Sequence, residues 1–317
     1  MALYLVTGGA GFIGSALVQE LLRRGERVRV VDNFATGLRR NIAEVLPHIE
    51  FVEVDITDLD RLRPALEGVD YVLHQAALRS VPRSVDNPRA SNRANVEGTL
   101  NVLLAARDAR VRRVVYASSS STYGDTPTLP KEESMQANPV SPYAVSKLAG
   151  ELYTRVFPQV YGLETVSLRY FNVFGPRQDP TSPYSAVLSI FISALLEEKR
   201  PTIFGDGEQT RDFTYVDNVV EGCLLACMAP QAAGKMMNVA VGQRNSLNYV
   251  VALLRKIIGT DIEPIYGPPR PGDVLHAQAD ITLARQLLGY EPKVFLEEGL
   301  QRTVAWYREN PEAFSKP

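Results

Sequence analysis

Short, nearly continuous apolar runs alternate with amphipathic stretches through the first half of the chain. The runs are LYLV (3–6), RVRVVD (27–32), IEFVEVD (49–55), VDYVLHQAA (69–77) and VRRVVYASS (111–119). Runs of this length and composition predict strands of a parallel sheet covered on both faces. Between the first two, Ile13, Leu17, Val18, Leu21 and Leu22 share one helical stripe, and Gly25 stops it. A second helix is predicted over 99–109. Repeated β-α-β units of this kind predict an α/β fold with a doubly wound parallel sheet.

The second half is less regular. Residues 164–175 begin as a strand and end in a turn. Residues 187–198 read as an apolar helix, and 205–218 as a polar loop entering a short strand. The proline-rich stretch 264–273 reads as a loop. The plan predicted is a larger sheet domain and a smaller C-terminal α/β lobe, with the chain crossing between them more than once.

Composition narrows the function without naming it. The 317 residues are 45% hydrophobic and 22% charged, with a net charge of −2. That is globular composition with no basic field for nucleic acid and no polybasic membrane patch. Cys223 and Cys227 lie in VVEGCLLACMA, away from the three histidines His48, His74 and His276, and read as small hydrophobes on a buried helix face. No metal site and no disulfide framework are expected, and a reducing, cytoplasmic home follows. The apolar start is cut short by glycine and reads as a strand, not a signal peptide.

Residues 7–14, TGGAGFIG, sit between the first strand and the first helix. Gly9, Gly11 and Gly14 satisfy G-x-G-x-x-G, and Gly8, Gly11 and Gly14 satisfy G-x-x-G-x-x-G. Glycines there let the backbone turn tightly and approach a pyrophosphate, which faces the N–H groups at the helix start. The motif alone is weak; its place between strand and helix makes it strong. The second strand ends in Asp32. A carboxylate there accepts both hydroxyls of an adenosine ribose and repels a 2′-phosphate, which points to NAD over NADP. Arg39 and Arg40 follow and read as a solvated face. Asp55 and Ile56, after the third strand, are placed to touch adenine.

Tyr143 and Lys147 lie in SPYAVSKLAGELY. Pro142 suits a first helical turn, so the pair falls at i, i+4 on one face. A tyrosine is a poor base at neutral pH, and an adjacent ammonium stabilises its phenolate. Upstream, a strand runs into Ser118, Ser119, Ser120, Ser121 and Thr122. Strand ends of such sheets form the ligand crevice, and hydroxyls there can share a proton with an alcohol. Alone, Y-x-x-x-K is common; following the glycine turn and the serine-rich strand end, it reads as catalytic.

With TGGAGFIGS, VVDN, the serines ending in TYG, YAVSK, LRYFNVFGPR, GDGEQTRDFTYVDN and RPGD in this order, nearly the whole chain resembles the extended short-chain dehydrogenase/reductase family. Within it, the chain is similar to nucleotide-sugar 4-epimerases. The run HQAALRSVPRS (74–84) is similar to the bacterial UDP-N-acetylglucosamine 4-epimerases that supply surface polysaccharide. The resemblance implies a Rossmann domain for NAD over 1–171 and 213–242, and a nucleotide-sugar-binding lobe over 172–212 and 243–317. It implies Tyr143 as catalytic base, Lys147 on the nicotinamide ribose and Ser119 as the catalytic hydroxyl, with Ser120 and Ser121 as auxiliaries. For the cofactor it implies Gly8, Gly11, Phe12, Ile13, Gly14, Asp32, Asn33, Asp55, Ile56, Gln75, Ala76, Ala77, Asn95, Tyr170 and Val173. Asn172, Arg177, Arg211, Arg270 and Asp273 match positions that hold the nucleotide's diphosphate or ribose, and Ser80 and Arg83 would sit near the sugar. Ala277 stands where a tyrosine excludes N-acetylated sugars in related epimerases, so its small size leaves room for an acetamido group.

Two departures bear on the substrate. Arg79 stands where a small residue is expected in the N-acetyl-sugar subgroup; an arginine there either favours a uronic acid carboxylate or points to solvent. Ser120 and Ser121 replace the Asp-Glu pair of the 4,6-dehydratases, which disfavours loss of a hydroxyl. The expected activity is epimerisation at C4 of a UDP-hexose, UDP-GlcNAc/UDP-GalNAc first and UDP-Glc/UDP-Gal second. The competing readings are a UDP-glucuronate 4-epimerase or decarboxylase, and a non-catalytic NAD-bound sensor, which intact Tyr143 and Lys147 disfavour. A homodimer through the apolar stripes of 99–109 and 144–157 is expected.

Overall fold

The computed structural model describes residues 1–181, 186–269 and 275–313. Six strands, β1 (Leu3–Thr7), β2 (Arg27–Asp32), β3 (Glu50–Glu53), β4 (Tyr71–His74), β5 (Arg113–Ser119) and β6 (Glu164–Tyr170), join a later strand, Met236–Val239. All pair in parallel, in the order 236–239, β6, β5, β4, β1, β2, β3. The order reverses between β1 and β4, so the crevice of this Rossmann-like α/β fold opens at the C-terminal ends of those two strands.

Both faces of the sheet are buried, which is why its strands read as unbroken apolar runs. Tyr4 and Val6 pack on one face with Leu17, Val18 and Leu21 of helix α1 (Phe12–Arg23). Leu3 and Leu5 pack on the other with Val102, Leu103 and Ala106 of α2 (Gly98–Asp108). Helix α3 (Pro142–Tyr161) begins as Pro142 predicts: the Ser141 side chain caps it by accepting from the Ala144 N–H, and Gly162 ends it at φ 72°. It lies so close to β5 that a Cβ on Gly150 would fall 2.2 Å from the Tyr116 hydroxyl. Cys223 and Cys227 are buried on α4 (Val216–Met228), and burial pushes the Cys223 thiol up to about 12.

Two boundaries differ from the sequence reading. β3 and β4 are shorter than predicted, because the chain leaves the sheet at Val54 and Gln75 to shape the crevice. The stretch 264–273 is not all loop: Ile265–Gly267 pairs in parallel with Thr202–Phe204. Three residues carry no readable period, and the flanking prolines hid them. The polar stretch 205–218 holds two short strands, Thr210–Arg211 against Asn245–Ser246 and Thr214–Tyr215 against Val173–Phe174. Among the described residues no helix is long and apolar enough to cross a membrane, and no three metal-ligating side chains gather.

Candidate active site

The glycine turn is built by contacts only glycine permits. The Gly8 N–H donates to the Val31 carbonyl at 2.8 Å, and the Gly11 N–H to the Gly8 carbonyl at 3.0 Å. Gly8 takes φ 70°. A Cβ on it would sit 2.8 Å from Ala76 Cα, and one on Gly14 only 2.1 Å from Gly8 O. The turn is therefore pressed between the end of β4 and the start of α1, and the α1 N-terminus faces a cavity of about 680 Å³. Gly8, Gly11, Phe12, Ile13 and Gly14 line it.

Asp32 lies on the same wall and is buried. One carboxylate oxygen accepts the Ala10 N–H at 2.9 Å and the other the Phe34 N–H at 2.8 Å, which leaves acceptor capacity on both for a pair of ribose hydroxyls. Burial pushes its pKa up in spite of these bonds. Asn33, Asp55 and Ile56 complete this end, with Asn33 Nδ2 donating to Asp55 at 2.9 Å. Arg39 stacks on Phe34 and pairs with Glu53 in solvent, and Arg40 reaches the Glu312 carbonyl, so both arginines are engaged away from Asp32.

At the other end stand Tyr143 and Lys147, on one face of α3. Ser84 Oγ fixes the start of the helix by accepting the Tyr143 N–H at 3.0 Å. Burial raises the Tyr143 phenol; a hydrogen bond with Ser119 and then the charge of Arg79 pull it back. Ser119 Oγ in turn accepts from the Ser121 hydroxyl at 2.9 Å. Lys147 Nζ donates to the Ala117 carbonyl at 2.9 Å and stands 5.1 Å from the Tyr116 ring centroid. Burial lowers its pKa to about 8, with the Glu151 carboxylate opposing. The sequence reading names Lys147 as the cation beside the phenol; Arg79 is a second cation, and its charge lowers the phenol.

The remaining sequence candidates divide. Gln75, Ala76, Ala77, Arg83, Tyr170 and Arg177 line the same cavity. Tyr170 exchanges contacts with Gln75, and Arg177 donates to Gln19 on α1. Asn95 is buried and holds the loop instead: it accepts the Leu78 N–H at 2.8 Å and donates to the Leu78 carbonyl and Ser146. Val173 pairs with Thr214 and accepts from Gln178 through its carbonyl. Ser80 caps the short helix 81–86 at φ 100°. Ser120 and Ser121 form the turn after β5. Asn172 donates to the Asp212 carbonyl, and Arg211 to the Thr210 and Leu275 carbonyls. Ala277 joins this second cluster through its N–H on Thr210 O at 3.1 Å. Arg270 and Asp273 lie outside the described residues.

Arg79 lines the cavity while keeping an exposed surface, and Tyr143, Asp179 and Arg83 are among the groups that interact with its charge. The sequence reading missed Asp179 and the loop Thr36–Leu38 with Asn41 as walls. Gly37 was the available signal: a Cβ there would meet both Asp32 carboxylate oxygens at 2.9 Å.

Residues 4–240 match the model of the NAD-dependent epimerase/dehydratase family. The chain is 42% identical over 308 residues to the UDP-glucose 4-epimerase of Mycolicibacterium smegmatis, covering 96% of this chain and 98% of that one. It is 37% identical over 326 residues to the UDP-glucuronate 4-epimerase of Thermodesulfobacterium geofontis, covering 98% of each. Among solved structures it is similar to the UDP-N-acetylglucosamine 4-epimerase of Methanobrevibacter ruminantium in complex with UDP-N-acetylmuramic acid. The TM-score is 0.93 at 38% identity, over 98% of this chain and 99% of that one.

Proposed function

The chain belongs to the NAD-dependent epimerase/dehydratase family, and from that premise we propose that it interconverts the C4 epimers of a UDP-hexose, UDP-GlcNAc and UDP-GalNAc foremost and UDP-Glc and UDP-Gal beside them. One observation carries the reading: the Tyr143 phenol, bonded to Ser119, lies in the same cavity as the glycine turn and Asp32. The residues fit the cofactor. The clash a Gly14 Cβ would make shows a turn built for close backbone approach, and the Asp32 carboxylate keeps acceptor capacity for two ribose hydroxyls.

NAD, when bound, supplies a hydride acceptor for sugar C4 and a donor for its return to the opposite face. The chain's own residues handle protons and position. Tyr143, as the phenolate, takes the proton of the 4-hydroxyl and becomes the phenol, with Ser119 bridging the two oxygens, and gives the proton back when the alcohol re-forms. Lys147, on the wall of the cavity, holds the nicotinamide ribose. Arg211 grips the sugar nucleotide's diphosphate while the sugar turns, since a charge-assisted contact survives rotation of the far end. Arg177, on the dinucleotide cavity itself, is suited to a phosphate of the cofactor. Ala277, beside Arg211, supports room for an acetamido group.

A second reading has its own support. Arg79 brings a cation beside the phenol, where a carboxylate on the sugar would find a partner, and the glucuronate epimerase is among the relatives. A panel of UDP-GlcNAc, UDP-Glc and UDP-GlcA with NAD, followed by NMR of the anomeric proton, separates the two. Conversion of the neutral sugars at C4 is the expected result. Turnover of none of the three overturns the proposal, and carbon dioxide release marks decarboxylation.

The homodimer rests on α3. Val145, Leu152, Val156 and Val160 are exposed along it, with Leu100 and Leu104 of α2 half-buried. Such a stripe suits pairing of two helices from each copy. A monomeric mass in light scattering at micromolar concentration would exclude it.

A further inference from the structure

Lys147 has a neighbour that the reaction just described leaves without a task. Glu151 follows it by one turn on α3, so Tyr143, Lys147 and Glu151 stand at i, i+4 and i+8 on one face. Lys147, Glu151 and Arg169 are all buried, at 4%, 7% and 2% exposure. Arg169 of β6 grips the carboxylate with two parallel bonds, Nε to Oε1 at 2.8 Å and Nη2 to Oε2 at 2.7 Å. The Ser118 hydroxyl donates to Oε1 at 2.5 Å. Ser118 and Arg169 are register partners on β5 and β6, so one carboxylate ties α3 to two adjacent strands. The tie lands one residue before Ser119.

We propose that Glu151 is a positioning residue for the reaction: its carboxylate supplies the counter-charge one helical turn from Lys147 and, through Ser118, ties the end of β5 to the helix that carries Tyr143. The inference rests on the epimerase reading for its consequence, but not for its measurement. Burying three charged groups together is costly unless each is paired, and Glu151 is the one acid among the three, so it answers both cations. The groups facing Lys147 are Tyr143 and Glu151 on its own helix, Tyr116 on β5 and His74 on β4. Glu151 also faces Tyr116, and Arg169 faces Tyr123 at 4.3 Å and Glu133. Of the groups acting on Lys147, burial disfavours its charged form and Glu151 favours it.

The test follows the Lys147 Nζ resonance against pH in the full chain labelled with 15N-lysine, assigned with Lys147→Met. In Glu151→Gln the midpoint should fall by about one pH unit, the scale of losing an opposite charge within a few ångströms. The alkaline limb of kcat should fall with it. Ser118→Ala removes the tie and not the charge, so its midpoint should stay while kcat drops. A midpoint unchanged in folded Glu151→Gln, or shifted equally by Ser118→Ala, overturns the proposal. If Glu151→Gln fails to fold because Arg169 is left unpaired, the midpoint in Glu151→Gln with Arg169→Met is read against Arg169→Met alone; a fall of about one pH unit is expected, and equal midpoints again overturn the proposal. A moved midpoint in a protein that turns over no UDP-sugar would sink the epimerase reading alone.

Discussion

Replacing Gly14 by alanine tests the cradle at its tightest point. The new Cβ would lie 2.1 Å from Gly8 O, 2.8 Å from Gly8 C and 2.9 Å from Gly9 Cα, all backbone atoms that no rotamer can move aside. A tolerable contact needs at least 3.0 Å, so the turn and the start of α1 must part by about 0.9 Å. A displacement of about 1 Å in a binding constellation costs on the order of 100-fold. The expected result is an NAD dissociation constant raised about 100-fold, or about 2.7 kcal/mol, with about 1–3 kcal/mol lost from stability by overpacking. Calorimetric titration with NAD and urea unfolding measure the two. Gly25→Ala is the control. Gly25 has φ 77° and nothing within 4 Å of its added Cβ, so it pays only backbone strain of about 1–2 kcal/mol and should bind NAD normally. A Gly14→Ala protein that binds NAD within threefold of the native chain refutes the reasoning.

Tyr143→Phe removes the proton acceptor and should lower kcat by about 10²–10⁴-fold while NAD still binds, as turnover and calorimetry would show. Ala277→Tyr should cut kcat/KM for UDP-GlcNAc against UDP-Glc by about 10–100-fold; an unchanged ratio would remove position 277 from the pocket. His74 gives a pH prediction. It is buried between the hydroxyls of Thr7 and Thr99, and burial, with the charge of Lys147, lowers it from 6.5 to about 3. Between those values the unfolded chain takes a proton that the native one refuses, so stability present above pH 6.5 is lost as pH falls toward 3. About 2 kcal/mol should be gone by pH 5, read from urea midpoints at pH 7 and 5, and His74→Gln should flatten that slope.

The dinucleotide end was legible because its chemistry demands particular residues at particular spacings. Only glycine survives at positions 8 and 14, and only an acid at 32 suits a ribose, so strand, turn and carboxylate announced themselves. The i, i+4 pair of Tyr143 and Lys147 was legible for the same reason. Less could be read where the role depends on what the fold brings near. Asn95 matched a cofactor position, yet its amide is spent on Leu78 and Ser146, partners that only the packing of α3 against the loop supplies. The direction of Arg79 was open because a loop residue carries no face. The pairing of Glu151 with Arg169 joins elements 18 residues apart, and a glutamate on a helix reads as solvated until β6 is seen behind it.

The strand Met236–Val239 closes the sheet against β6 only after the chain has left it at Tyr170 and spent 65 residues elsewhere. The sheet is thus built from two stretches of the chain that lie apart in sequence. A single cut that keeps the whole sheet must fall after Val239, and it carries residues 171–235 along with it. A fragment ending at residue 171 would bare the backbone of β6 from Ser167 to Tyr170, an open edge that invites pairing with another chain. Recombination between relatives should therefore keep β6 and Met236–Val239 from one parent, and crossovers that part them should come out as aggregates.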